Sequence, residues 1–292
     1  MTPRVTLVGD VMLDVVTRAL GPVEATSDTP AATVVGRGGS AANAAIRLAR
    51  SGCTVTYVGA VGSDPAADVL AALFARAGVR TRWQVVEEPT GVVVAIVDGS
   101  GQRAMLTSRG ANKRLAQAHV ADALGEPFDH LHVSGYTVLD DDTRDVAVSA
   151  LNLARSRGVS ASVDACSVGP LRRVGANRFL EAVAPATTIF ANEEEAVLLG
   201  GGGALEHALD RLAECFDEVV VTLGPRGAVV RRGAFETRSA ATARVVLDTT
   251  GAGDAVTGAY LGARLGGASP RDALGAAMAA AGEVVAGLGA EG

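Results

Sequence analysis

A carboxylate lies at the start of a predicted helix, directly after a loop of small residues. The helix is predicted from Ala255 to Leu265, and the loop before it reads Asp248-Thr249-Thr250-Gly251-Ala252-Gly253-Asp254. Unpaired amides and the positive dipole end make a helix N-terminus attractive to anions such as phosphate, and small side chains let the ligand approach closely. A carboxylate at that position is useful if it holds and deprotonates a hydroxyl that attacks the phosphate. Helix capping is the alternative role for Asp254, and this stretch alone leaves both roles open.

If this chain binds phosphate, it does so without a P-loop lysine. No GxxxxGK motif precedes the only lysine, Lys113, which excludes a P-loop, and this lysine does not stand in the VAIK motif of protein kinases. Any bound phosphate must therefore be held by backbone amides, arginines and Mg²⁺.

Two stretches offer polar groups to a hydroxylated ligand. In Gly38-Gly39-Ser40-Ala41-Ala42-Asn43 the glycines predict a tight turn that presents backbone amides and the Asn43 side chain. Asp10 and Asp14 follow the first predicted strand, and a carboxylate that accepts hydrogen bonds from vicinal hydroxyls is a common way to bind a polyol. The alternatives are a helix start with a buried Asn43 and loop acids that are only solvated.

Two further loops follow predicted strands. Asn192 and Glu195 have the spacing of a capping box. The same residues suit contact with Mg²⁺-bound water and nucleotide phosphates, because Mg²⁺ prefers carboxylate oxygens and retains water. Thr222-Leu223-Gly224-Pro225-Arg226-Gly227 predicts a glycine-rich turn that a planar base or a ribose can approach closely. For Asp140-Asp141-Asp142, at another helix start, we expect only a solvated cap.

Composition excludes several classes of protein. The 292 residues are 48% hydrophobic and 20% charged, which is typical of a globular chain. A net charge of −6 argues against nonspecific binding to nucleic acid or to an anionic membrane. Three scattered cysteines without a CxxC motif favour a reducing cytoplasm and no zinc site. No apolar stretch approaches the ~20 residues of a membrane helix, so we expect a soluble cytoplasmic protein.

The elements that must position these groups alternate along the chain. Short apolar, β-branched runs predict strands at Val5–Val8, Val55–Val58, Leu131–Val133, Ser160–Val163, Thr188–Phe190 and Val219–Thr222. Helical patterns predict helices at Ala41–Ser51, Ala66–Ala77, Thr143–Arg157 and Ala204–Cys215. This alternation predicts an α/β fold with a mostly parallel sheet flanked by helices on both faces. Ligands bind such sheets beyond the carboxyl ends of the strands, where the motifs lie.

Two segments depart from the alternation and predict a small β lid. One has strand-like ends around a Pro/Ser/Thr-rich middle, and the other is a meander that begins with Trp83–Val86. Within the meander, Asp98-Gly99-Ser100-Gly101 is a hairpin signal. Strands without intervening helices do not form crossover units with a parallel sheet. The predicted lid comprises residues 11–35 and 83–108, and the predicted α/β domain comprises residues 1–10, 36–82 and 109–292.

In combination, the motifs resemble those of the PfkB (ribokinase-like) family of sugar and nucleoside kinases. The resemblance covers nearly the whole chain. The N-terminal signature of the family is similar to Gly38-Gly39 with Asn43, Gly52 and Gly62, and the C-terminal signature is similar to Asp248 through Asp254. The NxxE motif matches Asn192 to Glu195, and the nucleotide loop matches Thr222 to Gly227.

The resemblance implies a ribokinase-like fold and transfer of the γ-phosphate of ATP, with Mg²⁺, to a primary or anomeric hydroxyl. It implies that Asp254 is the catalytic base and that the amides of Gly251, Ala252 and Gly253 form the anion hole. The acceptor would be held by Asp14, Gly38, Gly39, Ser40, Asn43 and Asp254. The nucleotide would contact Asn192, Thr222, Gly224, Arg226, Gly227 and Gly253. Glu195 would reach Mg²⁺ through water, and Asp248 and Thr250 match positions that bind a monovalent cation such as K⁺ in several members.

Departures from the family pattern leave the acceptor open. Ribokinases proper carry Lys where this chain has Ser40, and Tyr136 stands near a position where they use Glu, which argues against ribose. The stretch Gly9-Asp10-Val11-Met12-Leu13-Asp14 is similar to the heptose-phosphate kinase branch. The lid residues Arg103 and Arg109 do not decide between phosphorylated and neutral acceptors.

Three hypotheses about function follow. A sugar kinase is the leading one, on account of Asp14, Asn43 and Asp254. A nucleoside kinase of the same family is the alternative, and it needs an apolar or aromatic lid pocket for the base, for which Trp83 is the obvious candidate. A non-catalytic sugar-binding protein on the same fold is the third, although the intact glycine loop argues against it. We also expect homodimerisation through exposed edges of the lid, and neither a nucleic-acid nor a membrane partner.

Overall fold

Two β-sheets organise the chain. A computed structural model describes residues 2–23, 26–97, 103–243, 245–246 and 249–287. The strands are β1 (Arg4–Val8), β2 (Met12–Ala19), β3 (Ala31–Gly38), β4 (Thr54–Gly62), β5 (Arg80–Val86), β6 (Val92–Val97), β7 (Arg103–Ser108), β8 (His130–Val133), β9 (Ser160–Asp164), β10 (Thr188–Asn192), β11 (Glu218–Thr222), β12 (Ala228–Arg232) and β13 (Phe235–Ser239). The helices are α1 (Ser40–Arg50), α2 (Pro65–Arg76), α3 (Gln117–Ala123), α4 (Gly135–Leu139), α5 (Arg144–Ser156), α6 (Val168–Val174), α7 (Ala176–Val183), α8 (Glu193–Leu199), α9 (Leu205–Ala213), α10 (Ala252–Leu265) and α11 (Pro270–Val285). Among the described residues, none of these helices is long and apolar enough to cross a membrane.

The larger sheet has nine strands in the order β13-β12-β11-β10-β9-β8-β1-β4-β5. All neighbours from β11 to β5 are parallel, whereas β11, β12 and β13 are joined by antiparallel pairing. The prediction of a mostly parallel sheet is confirmed. The six predicted strands lie within β1, β4, β8, β9, β10 and β11.

Helices cover both faces of this sheet. Leu7 and Val8 are neighbours in β1, and both are fully buried, Leu7 in the core cluster on one face and Val8 in the cluster on the other. Because successive side chains of a strand point to opposite faces, such a continuous apolar strand is stable only if both faces are covered. Full burial of an aliphatic side chain contributes about 1.5–3 kcal/mol, so the short strands are held mainly by this packing.

The smaller sheet, which we call the lid sheet, has the strand order β3-β2-β6-β7. It pairs β2 with β3 and β6 with β7 in antiparallel fashion, and β2 with β6 in parallel. Since β1 ends at Val8 and β2 begins at Met12, the lid sheet starts at the carboxyl ends of the parallel strands. The prediction of a second, small sheet is confirmed, and the predicted hairpin turn from Asp98 to Gly101 lies outside the described residues.

One predicted lid strand belongs to the larger sheet instead. Trp83–Val86 lies within β5, which pairs in parallel with β4. The expectation is wrong because α2 stands between β4 and β5, so the three elements form an ordinary crossover unit. The Trp83 ring packs in the body against Tyr57 and Phe74, with centroid distances of 5.5 and 5.3 Å.

Helices α1 and α10 lie close together because glycines face the contact. A Cβ atom on Gly258 would lie 2.6 Å from the carbonyl oxygen of Ala44, and one on Gly262 would lie 2.5 Å from Cβ of Ser51. Gly258 lies against Ala44, and Gly262, one turn further along α10, lies against Ser51 at the C-terminal end of α1. The two helices therefore run parallel. Their N-terminal turns therefore meet at the same edge of the sheet.

A buried amide joins the two chain segments that enter and leave the lid sheet. Asn112 Oδ1 accepts a hydrogen bond from Val11 N at 2.9 Å, and Asn112 Nδ2 donates to Val11 O at 2.8 Å and to Arg109 O at 3.0 Å. Val11 precedes β2 and Arg109 follows β7. The Asn112 side chain therefore anchors the lid sheet to the body at this corner.

Candidate active site

Asp254 lies in the first turn of α10 and contacts α1. Its Oδ2 accepts a hydrogen bond from Asn43 Nδ2 at 2.9 Å, and its Oδ1 accepts one from Ser40 Oγ at 2.8 Å. Burial raises the pKa of Asp254 to about 6, while the donors on Asn43 and Ser40 lower it. The carboxyl group is therefore ionised at neutral pH and is a stronger base than an exposed aspartate.

Ser40 also lies against a second carboxylate. Its Oγ is within hydrogen-bond distance of Asp164 Oδ2. A hydroxyl carries one hydrogen, so Ser40 donates to only one of the two carboxylates at a time. The other carboxylate must then carry a proton or face an oxygen lone pair. Ser40 therefore couples the protonation of Asp164 to that of Asp254.

Asp164 is held by a buried set of donors. It accepts hydrogen bonds from Gly135 N at 2.6 Å and from Cys166 Sγ at 2.7 Å. His132 Nε2 lies 3.7 Å from Asp164 Oδ2. Burial raises the pKa of Asp164, but His132, Cys166 and Ser40 outweigh burial and hold this pKa below its ordinary value. Asp164 therefore remains a carboxylate beside Asp254.

Neither Asp164 nor Cys166 belongs to a predicted motif, although a signal for Asp164 exists. It directly follows the strand predicted at 160–163, and Asp10 and Asn192 likewise stand within two residues of the end of a predicted strand. Cys166 has a φ of 63°, a left-handed conformation that non-glycine residues rarely adopt. The sequence around Cys166 does not predict this left-handed conformation.

Two buried oxygens near Asp254 have no hydrogen-bond donor among the described residues. They are Oδ1 of Asp14 and Oδ1 of Asn43. Burial raises the pKa of Asp14 to about 6, and the charge of Arg37 opposes this shift. A buried acceptor without a donor is unfavourable, and the hydroxyls of a bound polyol would supply donors. Both residues are therefore suited to the acceptor-binding role expected of them.

Gly38 and Gly39 leave room for these groups. A Cβ on Gly38 would lie 2.0 Å from Asp14 Oδ1, and a Cβ on Gly39 would lie 2.2 Å from the carbonyl oxygen of Asp10. Gly39 also has a φ of 101°, which L side chains rarely adopt. Glycine at position 38 therefore leaves the space that the Asp14 carboxylate occupies, and glycine at position 39 permits the turn from β3 into α1.

An arginine near Asp14 is held between two carboxylates. Arg109 Nη2 lies 2.5 Å from Asp10 Oδ2, and Arg109 Nη1 pairs with Asp140 Oδ2. Burial raises the pKa of Asp10, and the charge of Arg109 opposes this shift. The expectation that Asp140 is a solvated cap is wrong, since its side chain is 13% exposed. Its partner lies 31 residues away in the chain, so no local pattern reveals the pair.

These groups line a cavity of about 380 Å³, which we call the acceptor cavity. Asp10, Asp14, Gly39, Ser40, Asn43, Arg109, Tyr136, Asp164 and Asp254 are among its lining residues. The lid sheet contributes Met12, Val93, Met105 and Thr107. A second cavity of about 330 Å³, the apolar cavity, adjoins it, and both are lined by Thr222, Gly253 and Val256. Gly253 therefore lies at the junction, directly before Asp254.

The apolar cavity contains most of the residues predicted to bind nucleotide. Thr222, Gly224, Gly227 and Gly253 line it together with Val246, Met278 and Val285. The φ of Gly227 is 93°, and a Cβ there would lie 1.9 Å from the carbonyl oxygen of Ser239, so only glycine fits. Arg226 is placed differently from the prediction. It pairs with Glu193 at the surface and is absent from the described lining of either cavity.

The first turn of α10 supplies the amides predicted to form an anion hole. Gly251 precedes the helix with a φ of 77°, a left-handed conformation suited to glycine. Amides of a first turn have no acceptor within the helix. That of Ala252 donates to the carbonyl of Thr249 at 3.3 Å, a long hydrogen bond. Gly253 is exposed at the junction of the cavities, so its amide is the best placed of the three to meet an anion.

Asn192 and Glu195 form the predicted capping box and also line the acceptor cavity. Glu195 Oε2 accepts from Asn192 N, and Asn192 Oδ1 accepts from Glu195 N, each at 2.9 Å. Burial raises the pKa of Glu195 to about 7. The capping box does not use Glu195 Oε1, so this oxygen suits contact with Mg²⁺ through water. The described residues contain no group of three or more His, Cys, Asp or Glu that would enclose a metal ion.

The pair predicted to bind a monovalent cation is described only in part. Thr250 lines the acceptor cavity. Asp248 lies outside the described residues. The K⁺ site therefore stays a prediction.

Several curated proteins are similar to this chain in sequence. An uncharacterized sugar kinase of Archaeoglobus fulgidus is 28% identical over 218 residues, which cover 73% of this chain and 84% of that protein. An ATP-dependent ribose-1-phosphate kinase of Halopiger xanaduensis is 29% identical over 228 residues, with coverages of 77% and 72%. The bifunctional protein HldE of Pseudomonas fluorescens is 32% identical over 294 residues, and the match covers 98% of this chain but 60% of HldE.

Solved kinase structures share the fold. The adenosine kinase from Sinorhizobium meliloti has a TM-score of 0.89 at 26% identity, with 100% of this chain and 96% of that chain covered. A putative Ribokinase II from E. coli in complex with ATP and Mg²⁺ has a TM-score of 0.88 with coverages of 99% and 94%, and its 21% identity supports the fold alone. The predicted ribokinase-like fold is confirmed.

The family is established by a match that spans nearly the whole chain. The sequence model of the pfkB family carbohydrate kinases matches residues 2–292. The chain therefore belongs to the pfkB family of carbohydrate kinases and is a phosphotransferase with an alcohol group as acceptor.

Proposed function

We propose that the protein transfers the γ-phosphate of ATP to a hydroxyl of a sugar or sugar derivative, with Asp254 as the base. The observation that carries the proposal is the position of Asp254, where the acceptor cavity, to which Asp14 and Asn43 contribute polar side chains, adjoins the apolar cavity. The carboxylates and the amide in the acceptor cavity offer hydrogen-bond acceptors to hydroxyl groups, and the apolar cavity offers a surface to a nucleotide base. The similarity to the ATP-dependent ribose-1-phosphate kinase of Halopiger xanaduensis supports this choice of nucleotide.

In the proposed reaction the acceptor hydroxyl donates a hydrogen bond to Asp254, which takes the proton as the new O–P bond forms. The bond between the γ-phosphorus and the β–γ bridging oxygen of ATP breaks, and ADP leaves. Asn43 and Ser40 hold the carboxylate in place. The transition state of phosphoryl transfer is loose, so positioning and charge stabilisation contribute more than early proton removal. The amides from Gly251 to Gly253 stabilise charge on the transferred group. Glu195, through water, and Asn192 would help to hold Mg²⁺, which when bound would supply positive charge to neutralise the phosphates.

A nucleoside kinase is the second candidate, supported by the adenosine kinase neighbour. Trp83, the aromatic residue expected to contact the base from the lid, instead packs against Tyr57 and Phe74 in the body. This placement removes one argument for a nucleoside acceptor. Tyr136 and Phe190 are the aromatic residues that line the acceptor cavity. Nucleosides therefore belong among the acceptors to be tested.

Four further features belong to the proposal. The lid sheet closes over the acceptor cavity, to which it contributes Met12, Val93, Met105 and Thr107. Two copies of the chain pair through the lid sheet. K⁺ binds beside Thr250. The protein works in the reducing cytoplasm, since all three cysteines are unpaired.

The test is the substitution Asp254→Asn. It keeps the size of the side chain and removes the base, so we expect kcat to fall about 10²–10⁴-fold while ATP binding is retained. The measurement is ADP release with ATP and Mg²⁺ over a panel of sugars and nucleosides, with and without K⁺.

Asp14→Asn is the comparison variant, and we expect it to act mainly on the KM of the acceptor. An Asp254→Asn variant that keeps most of its kcat would reject Asp254 as the base. Turnover of nucleosides in preference to sugars would favour the second candidate. Failure to turn over any acceptor, with ATP binding intact, would contradict the proposed reaction.

A further inference from the structure

We propose that the acceptor is uncharged, carrying neither a phosphate nor a carboxylate before the reaction. This inference rests on the proposed function and adds the chemical class of the acceptor. It is carried by the cluster of Asp10, Arg109 and Asp140, in which the cation that lines the acceptor cavity is already paired on both sides.

The described lining of the acceptor cavity is strongly acidic. It contains one cationic residue, Arg109, and five acidic residues, Asp10, Asp14, Asp164, Glu195 and Asp254. Ionised carboxylates only accept hydrogen bonds, so they suit the hydroxyls of a neutral acceptor. An anionic group on the acceptor would instead meet like charge, which is unfavourable in a partly buried site.

The charge of Arg109 is already offset by two carboxylates, although its Nε has no hydrogen-bond partner among the described residues and could donate to a neutral hydroxyl. Its Nη2 and Nη1 are engaged by Asp10 and Asp140, whose side chains are 8% and 13% exposed. If the guanidinium turned to a phosphate, two buried carboxylates would lose their counterion, and an unpaired buried charge is strongly destabilising. The backbone is restrained as well, because the carbonyl of Arg109 accepts a hydrogen bond from Asn112.

The position of a second arginine, Arg37, also supports an uncharged acceptor. The charge of Arg37 lowers the pKa of Asp14, although burial outweighs it. Arg37 lines a separate small cavity with Arg47 and Arg50 and is not among the described residues that line the acceptor cavity. It therefore favours the ionised form of Asp14, which accepts hydrogen bonds from hydroxyl groups.

The test compares each free sugar with its own monophosphate, and each nucleoside with its monophosphate. Both members of a pair are offered as acceptors with ATP and Mg²⁺, and as ligands in calorimetric titration without ATP. We expect kcat/KM to be at least about 100-fold higher for the unphosphorylated member, and its binding to be tighter.

The outcomes separate this inference from the proposed function. Equal or higher kcat/KM for the monophosphates would overturn the inference and leave a sugar kinase. Turnover of no acceptor, together with binding of the free sugars alone, would contradict the kinase proposal and support the uncharged ligand. Tighter binding of monophosphates without turnover would contradict both.

Two variants test the role of the ion-pair cluster. Asp140→Asn removes the negative charge that pairs with Nη1 of Arg109. We therefore expect kcat/KM for the monophosphate to rise about tenfold relative to that for the free sugar. The matched control is Asp141→Asn, because the Asp141 side chain is 83% exposed and pairs with Arg144. This control should leave the ratio unchanged.

Thr107→Lys adds a cation on an exposed strand of the lid sheet without altering the buried cluster. It should move the ratio in the same direction as Asp140→Asn. If the ratio of kcat/KM for the monophosphate to kcat/KM for the free sugar changed in neither variant, the inference that charge pairing around Arg109 sets the selectivity would be overturned. A purely structural role for the cluster would affect the free sugar and its monophosphate equally.

Discussion

At the scale of single residues, the basicity of Asp254 depends on where one hydroxyl hydrogen points. Ser40 Oγ lies between Asp164 and Asp254, and Asn43 donates to the other oxygen of Asp254. Donors to a carboxylate stabilise its charged form. The pKa of about 6 is therefore a balance between burial, which raises it, and these two donors, which lower it.

Ser40→Ala should shift the pH dependence of the reaction. Loss of the Ser40 donor raises the pKa of Asp254, so the deprotonated base is lost at a higher pH as pH falls. We expect the acid limb of kcat to move up by roughly half to one pH unit. The measurement is kcat at saturating substrates across the range from about pH 5 to 9.

Ser40→Thr retains the hydroxyl and serves as the control. Its acid limb should stay close to that of the unmodified protein. An acid limb that does not move in Ser40→Ala would show that a different group, such as the nucleotide phosphates or Glu195, governs the pH dependence.

At the scale of elements, the parallel pair of α1 and α10 sets the distance between the base and the acceptor-binding groups. Asp254 lies in the first turn of α10, and Ser40 and Asn43 lie in the first turn of α1. Gly258 lies one turn further along α10 and permits the close approach to Ala44. Helix packing therefore positions the base more firmly than a loop would.

Gly258→Ala should lower both stability and activity. The new methyl group would lie 2.6 Å from the carbonyl oxygen of Ala44, so the helices must separate. Overpacking of this kind costs about 1–3 kcal/mol in the free energy of unfolding. We also expect kcat to fall, because Asp254 moves away from Asn43. Urea denaturation and steady-state kinetics measure the two effects.

Gly275→Ala in α11 is the matched control. Gly275 is exposed, and no atom lies within 4 Å of the position that its Cβ would take. Alanine there should stabilise the protein by about 0.4–1 kcal/mol through the unfolded state. If the two substitutions had equal effects, close packing of α1 against α10 would not be required.

At the scale of the whole molecule, the lid sheet leaves apolar surface uncovered. Val34 and Met105 are 54% and 60% exposed. Strand register places them in one row with Val16 and Ala95, on the face of the sheet that carries Asp14. Exposed apolar faces and strand edges favour association, which supports pairing of two copies at the lid sheet.

Val34→Glu should convert a dimer into a monomer. A charge in the row of apolar side chains would be buried without a partner if two copies met there. Static light scattering gives the mass in solution, and circular dichroism checks the fold. Val69→Glu is the control, since Val69 is 41% exposed on α2, away from the lid sheet. A monomeric unmodified protein would contradict the prediction.

The fold was predictable where each local pattern had only one structural meaning. Buried apolar strands that alternate with helices require a covered parallel sheet, and the six predicted strands all lie in it. The sheet to which the strand at Trp83 belongs is not predictable from its sequence, because a short apolar run does not show which sheet it joins. Its assignment depends on α2 packing as a crossover helix.

The site was predictable in its motifs and not in its ion pairs. The turn at Gly39 and Asn43 and the loop before Asp254 each carry a local glycine pattern. Arg109 meets Asp10 across 99 residues of sequence, and the charge of one residue does not select its partner. The junction of the two cavities likewise depends on tertiary packing.

The residues that hold Asp254 and the residues that shape the acceptor cavity from the lid sheet lie on different elements, which has a consequence for protein engineering. The groups that contact Asp254 lie on α1, whereas Val93, Met105 and Thr107 reach the acceptor cavity from strands of the lid sheet. Substitutions at these three positions alter the shape of the acceptor site without touching α1 or α10. A combinatorial library confined to these three positions would therefore vary the substrate specificity while the catalytic residues stay unchanged. Selection for growth on a chosen sugar would then yield variants that phosphorylate that sugar.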